Sequence, residues 1–180
     1  MTISSARRNL LAAAVSQAVL FSANVQAATI VVNDPSGGSS MTRCTLPDAL
    51  DSANLDMPIG GCAGGSGRDI IEFALGASDN VIPVVNELRV DSEIEIRGPG
   101  ADRLTLDGQA NSRVIRASEN LTLSNVTVSN GMTAECGGGI YANTATLTGV
   151  TVTGNTAATG GGVCSRRSLT VRDSRVENNT

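Results

Sequence analysis

Residues 121–128, LTLSNVTV, recur as ATLTGVTV at 145–152 and as LTVRDSRV at 169–176, a period of 24 residues over the last third of the chain. Superposing the copies puts Leu123, Leu147 and Val171 in one column, Val126, Val150 and Ser174 in a second, and Val128, Val152 and Val176 in a third. Asn155 returns at Asn179. The glycine triplet 137–139 returns at 160–162, 23 residues on, so the loop between them is expected to change length by one residue. A period of this size means a solenoid, a propeller or an array. Each unit holds two short aliphatic alternations, and the odd step from 123 to 126 requires a bend before the apolar side chains point inward again. One unit buries no core by itself, whereas stacked units pair strand on strand as a parallel β-helix. A propeller blade needs about 40 residues and four longer strands.

Upstream, short β-type runs at 29–33, 69–75, 81–85, 88–90, 93–96, 104–106 and Val114-Ile115 are divided by turn residues such as Gly98-Pro99-Gly100 and Asp107-Gly108. One helix interrupts them. Thr45 caps it, Asp48 stands at the capping-box position, Pro47 suits a first turn, and Leu46, Ala49, Leu50 and Ala53 form one apolar stripe. The expected fold is therefore all-β, a parallel β-helix over 81–180 preceded by a small capping segment, 28–80, with one short helix.

Residues 1–27 read as a signal peptide. Arg7 and Arg8 precede an apolar run over 10–21, and Val25-Gln26-Ala27 offers a small-x-small cleavage site after Ala27. The run falls short of the roughly 20 residues a membrane anchor needs, and no later segment can span a bilayer. Without Arg7 and Arg8, 11 of the 13 basic residues face 17 acids, a formal charge of −6 that argues against nucleic-acid binding. All the bases are arginine, and histidine and tryptophan are absent, which removes the usual proton shuttles. With so few aromatic blocks, the core must come from small aliphatic contacts. The four cysteines are even in number in an exported chain, which favours disulfides: Cys44 with Cys62 in a local, turn-rich region, then Cys136 with Cys164. A zinc site, the other reading of four cysteines, lacks CxxC spacing and histidine.

The stretch Cys44-Thr45-Leu46-Pro47-Asp48-Ala49, with Asn54, Cys62 and Gly65-Ser66-Gly67-Arg68-Asp69-Ile70, resembles the CSLREA-type N-terminal domain of exported bacterial β-helix proteins, with Pro47 in place of the motif's arginine. Residues 96–108, IRGPGADRLTLDG, and the coils carrying Gly-Gly-Gly before Ile140 and Val163 are similar to right-handed β-helix proteins of the pectate-lyase-like superfamily. They are also similar to polymorphic outer-membrane-protein repeats. The resemblance implies a right-handed helix, export, and an extracellular or outer-membrane location. It leaves activity open, because this architecture serves lyases, hydrolases and adhesins alike.

Residues 64–71, GGSGRDII, fit the calcium nonapeptide letter for letter, but that site forms between successive copies and only one copy is present. Ca²⁺ is thus the one ion the sequence admits, and no cofactor is expected. Glu93 and Glu95 flank Ile94 on one strand face at about 7 Å, within the spacing of an inverting glycosidase pair, but two solvated acids opposite buried Ile94 and Ile96 are what any amphipathic strand shows. Arg113, Arg116, Arg166 and Arg167 are the basic residues a lyase reading has to draw on. Asn120, Asn125 and Asn178 head Asn-x-Ser/Thr sequons that threonine-rich strands produce readily. Asn155 and Asn179 are expected to stack as a ladder beneath the turn backbone. The expectation is an adhesin-like scaffold without a catalytic residue in these coils, meeting surface glycans or other cell-surface components. The alternative is the N-terminal part of a polysaccharide lyase or hydrolase. Residues 178–180 fall inside a repeat with no polar cap, so a longer chain is expected.

Overall fold

The computed structural model describes residues 27–76 and 80–180, so the signal peptide expected over 1–27 lies outside the described residues apart from Ala27. The chain forms a parallel β-solenoid of about 4 turns with a single short helix. Its first sheet contains β1 (Thr29–Val32), β2 (Asp69–Phe73), β5 (Ile94–Arg97), β7 (Ile115–Ser124), β10 (Ile140–Thr148) and β13 (Val163–Arg172), with β4 (Leu88–Val90) against the start of β7. The second contains β3 (Asn80–Pro83), β6 (Leu104–Asp107), β8 (Thr127–Ser129), β11 (Thr151–Thr153) and β14 (Arg175–Glu177). β9 (Met132–Cys136) and β12 (Thr156–Thr159) make a third. The first sheet begins with β1 and β2, inside the segment expected to act as a cap.

Register follows the columns read from the repeat. Leu147 sits between Leu123 and Val171, and Val152 between Val128 and Val176. Every one of these pairs is parallel, and inward positions alternate with outward ones as strand geometry requires. Ile71, Ile96, Leu123 and Leu147 of the first sheet and Ile82, Leu106, Val128 and Val152 of the second are fully buried, giving an aliphatic core without a large aromatic.

The corners are left-handed backbone. Asn125, Gly149 and Asp173 (φ 55°, 64° and 49°) turn successive coils from the first sheet to the second, and Asn130 and Gly154 (φ 52° and 65°) turn them on to the third, with Asn178 (φ 56°) at the same position of the next coil. Glycine, asparagine and aspartate are the residues that visit this region at low cost. The bend demanded by the odd step in the repeat is this single residue. Two of the sequon asparagines, Asn125 and Asn178, are corner residues.

The one-residue length change arises inside strands instead of in a loop, where the β9–β12 register shifts between Ala157 and Thr159. β10 pairs Ile140 with Ile115 and Val163, then Thr144 with Asn120 and Ser168, and the register shifts between Ala142 and Thr144 on both sides. A bulge there restores the 24-residue spacing before the core columns begin. The glycine triplets leave room for neighbouring backbone: a Cβ on Gly138 would stand 2.3 Å from Thr156 O. β9 and β12, which the repeat did not announce, follow from this packing. Their threonines and alanines alternate too weakly to signal a strand.

Helix α1 (Leu46–Leu55) packs on β1, β2 and β4. Thr45 Oγ1 accepts the Asp48 N–H and donates to Asp48 Oδ2 at 2.9 Å. Asp48 Oδ2 also accepts the N–H of Ser40 at 2.8 Å, so the carboxylate ties the preceding loop to the helix start. Cys44 and Cys62 bridge the two ends of this region with Cα atoms 4.5 Å apart, and Cys136 and Cys164 bridge two coils at 5.8 Å. No cysteine among the described residues is free.

Candidate functional site

Polar chemistry gathers where the first sheet meets helix α1 and the loop before β4. Arg113 is 5 % exposed and anchors the region. Its Nε donates to Gly137 O at 2.9 Å, and its Nη2 donates to Glu135 Oε2 at 2.9 Å and Cys136 O at 3.1 Å. Nη1 donates to Glu87 Oε2 in a close pair, and the guanidinium lies 5.2 Å above the ring centroid of Tyr141. Four contacts of this kind, planar and partly desolvated, suit the arginine fork and no other cation. Glu87 is shared further with Arg116 at 3.9 Å and Arg89 at 4.0 Å. The hydrogen bond from Arg113, followed by its charge, holds the Glu135 carboxyl below the ordinary glutamate range.

A groove of about 320 Å³ runs beside this network, lined by Gly37, Gly38, Leu50, Asp51, Val85, Glu87 and Arg89 among others. Partial burial, reinforced by the charge of Asp48, pushes the Asp51 carboxyl up from its ordinary value. The groove thus offers one acid inclined to hold its proton, one carboxylate braced by arginines, and an apolar floor. Neither Asp51 nor Glu87 was singled out in the sequence, because neither recurs with the repeat and no local motif surrounds them.

The Glu93 and Glu95 pair does share one face, since Arg68 reaches both, at 3.8 Å and 3.9 Å. Arg97 Nε donates to Glu95 Oε1 at 2.7 Å and also meets Glu72 at 3.6 Å. That hydrogen bond and charge hold Glu95 below its usual range. An inverting base must be free to take a proton from water, whereas the Glu95 carboxylate is engaged by Arg97 and Arg68 and made a weaker base by them. The sign for stability is equally direct. A lowered folded-state pKa contributes stability that is complete above the unfolded value, about 4.3, and is lost as pH falls through the folded one. The urea midpoint should therefore decline below about pH 4.3, and E95Q should flatten that decline; an unchanged slope in E95Q would remove Arg97 as the cause.

The asparagine ladder is continuous. Asn155, fully buried, accepts the Gly131 N–H at 2.7 Å and donates to Val128 O and Thr153 O, both at 3.1 Å. It also donates to Asn179 Oδ1 at 2.9 Å, and Asn179 repeats the pattern toward Val152 O and Glu177 O, each at 2.9 Å. Gly131 holds the equivalent place one coil earlier. Among the other candidates, Arg166 and Arg167 are exposed on β13.

The calcium nonapeptide stretch presents amide hydrogens to its carboxylate. Asp69 Oδ1 accepts the Ser66 N–H at 2.8 Å and the Ala28 N–H at 3.2 Å, and no group of three acids or cysteines gathers for a metal among the described residues. A carboxylate facing N–H donors does not fit the oxygen cage of Ca²⁺. Among the described residues no helix is long and apolar enough to cross a membrane.

No known protein family matches the chain, and neither a curated protein nor a solved structure is found to be similar to it.

Proposed function

We propose that the chain is an exported, surface-facing β-helix scaffold, adhesin-like and without catalytic work of its own in these coils. The observation that carries the reading is the pairing of its acids. Glu95 pairs with Arg97 on its own strand and with Arg68 of the coil before, and Glu87 and Glu135 close on Arg113, so these carboxylates are engaged in holding strands and coils together. Between them the outward positions are hydroxyls: Thr105, Thr127 and Thr151 follow one another on the second sheet, and Thr122, Thr146 and Thr170 on the first. Such an uncharged, hydrogen-bonding surface suits contact with glycans or other cell-surface components. Two cystine bridges accord with an oxidising, extracytoplasmic compartment. The capped helix joined to Cys44–Cys62 supports membership of the CSLREA-type, pectate-lyase-like group of exported proteins that the motif resembles.

The polysaccharide lyase or hydrolase reading keeps one specific support, the raised Asp51 carboxyl in the groove beside Glu87. One experiment separates the two. Purified protein and D51N are incubated with polygalacturonate and with neutral β-glucans, and unsaturated uronate and new reducing ends are followed. The scaffold reading expects no release above the level of D51N. Release by the natural sequence that disappears in D51N would make the groove an active site.

A further inference from the structure

Asp69 starts β2 as a carboxylate with 0 % exposure. Its Oδ1 accepts two backbone N–H groups, from Ser66 and Ala28, while its Oδ2 is buried without a hydrogen-bond partner. A buried anion held by two neutral donors on one oxygen is under-compensated, since the desolvation cost of a charge calls for an opposite charge nearby. The neighbouring arginine does not supply it: Arg68 turns to Glu93 and Glu95. Backbone closes in on Oδ2, because a Cβ on Gly65 would stand 2.4 Å from it and 2.9 Å from Ser52 O. Among the described residues no arginine side chain meets this carboxylate.

A cation of the right size and place is latent in Ala28. Its nitrogen lies 3.2 Å from Asp69 Oδ1, and its carbonyl accepts the Ile70 N–H at 2.8 Å, which locks the residue into the β1–β2 pairing. Ala27, directly before it, is exposed. Ala27 is also the residue after which the leader is expected to be cut. We infer that leader removal after Ala27 is a structural step, converting the Ala28 nitrogen from an amide into the α-ammonium that pairs with buried Asp69. A leader peptidase hydrolyses the Ala27–Ala28 amide with one water. The carbonyl carbon leaves with the leader as a carboxylate, and the freed amine takes up a proton, its ordinary pKa being about 7.7–8.0. The nitrogen then carries three hydrogens and a charge where it had one hydrogen and none. The mature N-terminus becomes part of the solenoid's first coil, and an uncut chain folds with Asp69 lacking its counter-ion.

This inference rests on the export reading above, and the test separates the two. The first residue of the protein recovered from its host is read by N-terminal sequencing. A start at any residue other than Ala28 overturns cleavage after Ala27 and with it the pairing. Given an Ala28 start, the absence of lysine makes its amine the one primary amine in the chain, so an amine acylation rate reports this group alone. With a succinimidyl ester at neutral pH, the folded mature chain should react about tenfold more slowly than D69N. An amine slowed by burial alone would be as slow in D69N, and that result would overturn the pairing. Independently, one glycine added before Ala28 should raise the unfolding constant about tenfold, equivalent to about 1.4 kcal/mol. If D69N does not fold, this comparison decides, and equal stability of the exact and extended chains overturns the inference.

Discussion

Asn155→Ala should destabilise the solenoid by about 4 kcal/mol, the largest loss expected from any single polar side chain among the described residues. The carboxamide is fully buried and joins three coils. Alanine strips the acceptor from Gly131 N–H and the donor from Val128 O and Thr153 O, and removes one of the two hydrogen bonds reaching Asn179 Oδ1. Each buried group left unpaired costs about 1–3 kcal/mol, and little can relax because Gly131 lies against Gly138 O. Asn155→Asp isolates the cause. The carboxylate cannot donate to Val128 O or Thr153 O, so at pH 7 it should be at least as harmful as alanine; relative to the natural sequence it should recover as acid restores a donor hydrogen. Urea unfolding followed by circular dichroism reads both. Asn179→Ala, on a half-buried residue of the last coil, should cost about 1 kcal/mol. Equal losses at the two positions would mean that ladder membership, and not depth in the stack, sets the cost.

Arg113→Met should cost about 3 kcal/mol, with its origin in carbonyl groups more than in ion pairs. Gly137 O and Cys136 O lose their guanidinium donor, and Tyr141 loses the cation above its ring. The electrostatic part is limited. Glu135 is 77 % exposed at the side chain, and Glu87 keeps Arg116 and Arg89 close by. Arg113→Lys retains the charge but loses the fork, so it should recover less than half of the loss. Full recovery by lysine, read from the same urea midpoints, would show that charge alone holds the network. A loss that shrinks markedly in 1 M salt would point the same way.

These two residues were unequally visible in the sequence. Asn155 has a partner 24 residues on in the same column, so repetition itself marked the ladder before any coordinates. Arg113 has no copy. Its partners Glu87 and Glu135 lie 26 and 22 residues away on opposite sides, and nothing in the local sequence distinguishes it from Arg116. Asp69 showed a similar gap. It was read as part of a glycine-rich calcium pattern, whereas its environment is set by Ala28, 41 residues earlier, once β1 lies on β2.

Periodicity is what the sequence by itself determined. Solenoid coils contact only their neighbours, so one residue type repeated at one spacing defines the core columns, the strand register and the left-handed corners at Asn125, Gly149 and Asp173. Even the direction of pairing follows, because identical coils advancing in one sense can only stack in parallel. Tertiary structure decided whatever occurs once. The bulge at Ala142–Thr144, the Arg113 clamp, the groove beside α1 and the burial of the Asp69 carboxylate all depend on which unrepeated groups adjacent coils bring together. Such contacts bind positions 20 to 40 residues apart through a single pair of groups. With no second copy to mark them, their energy leaves no period in the chain, and only the stacked coils reveal it.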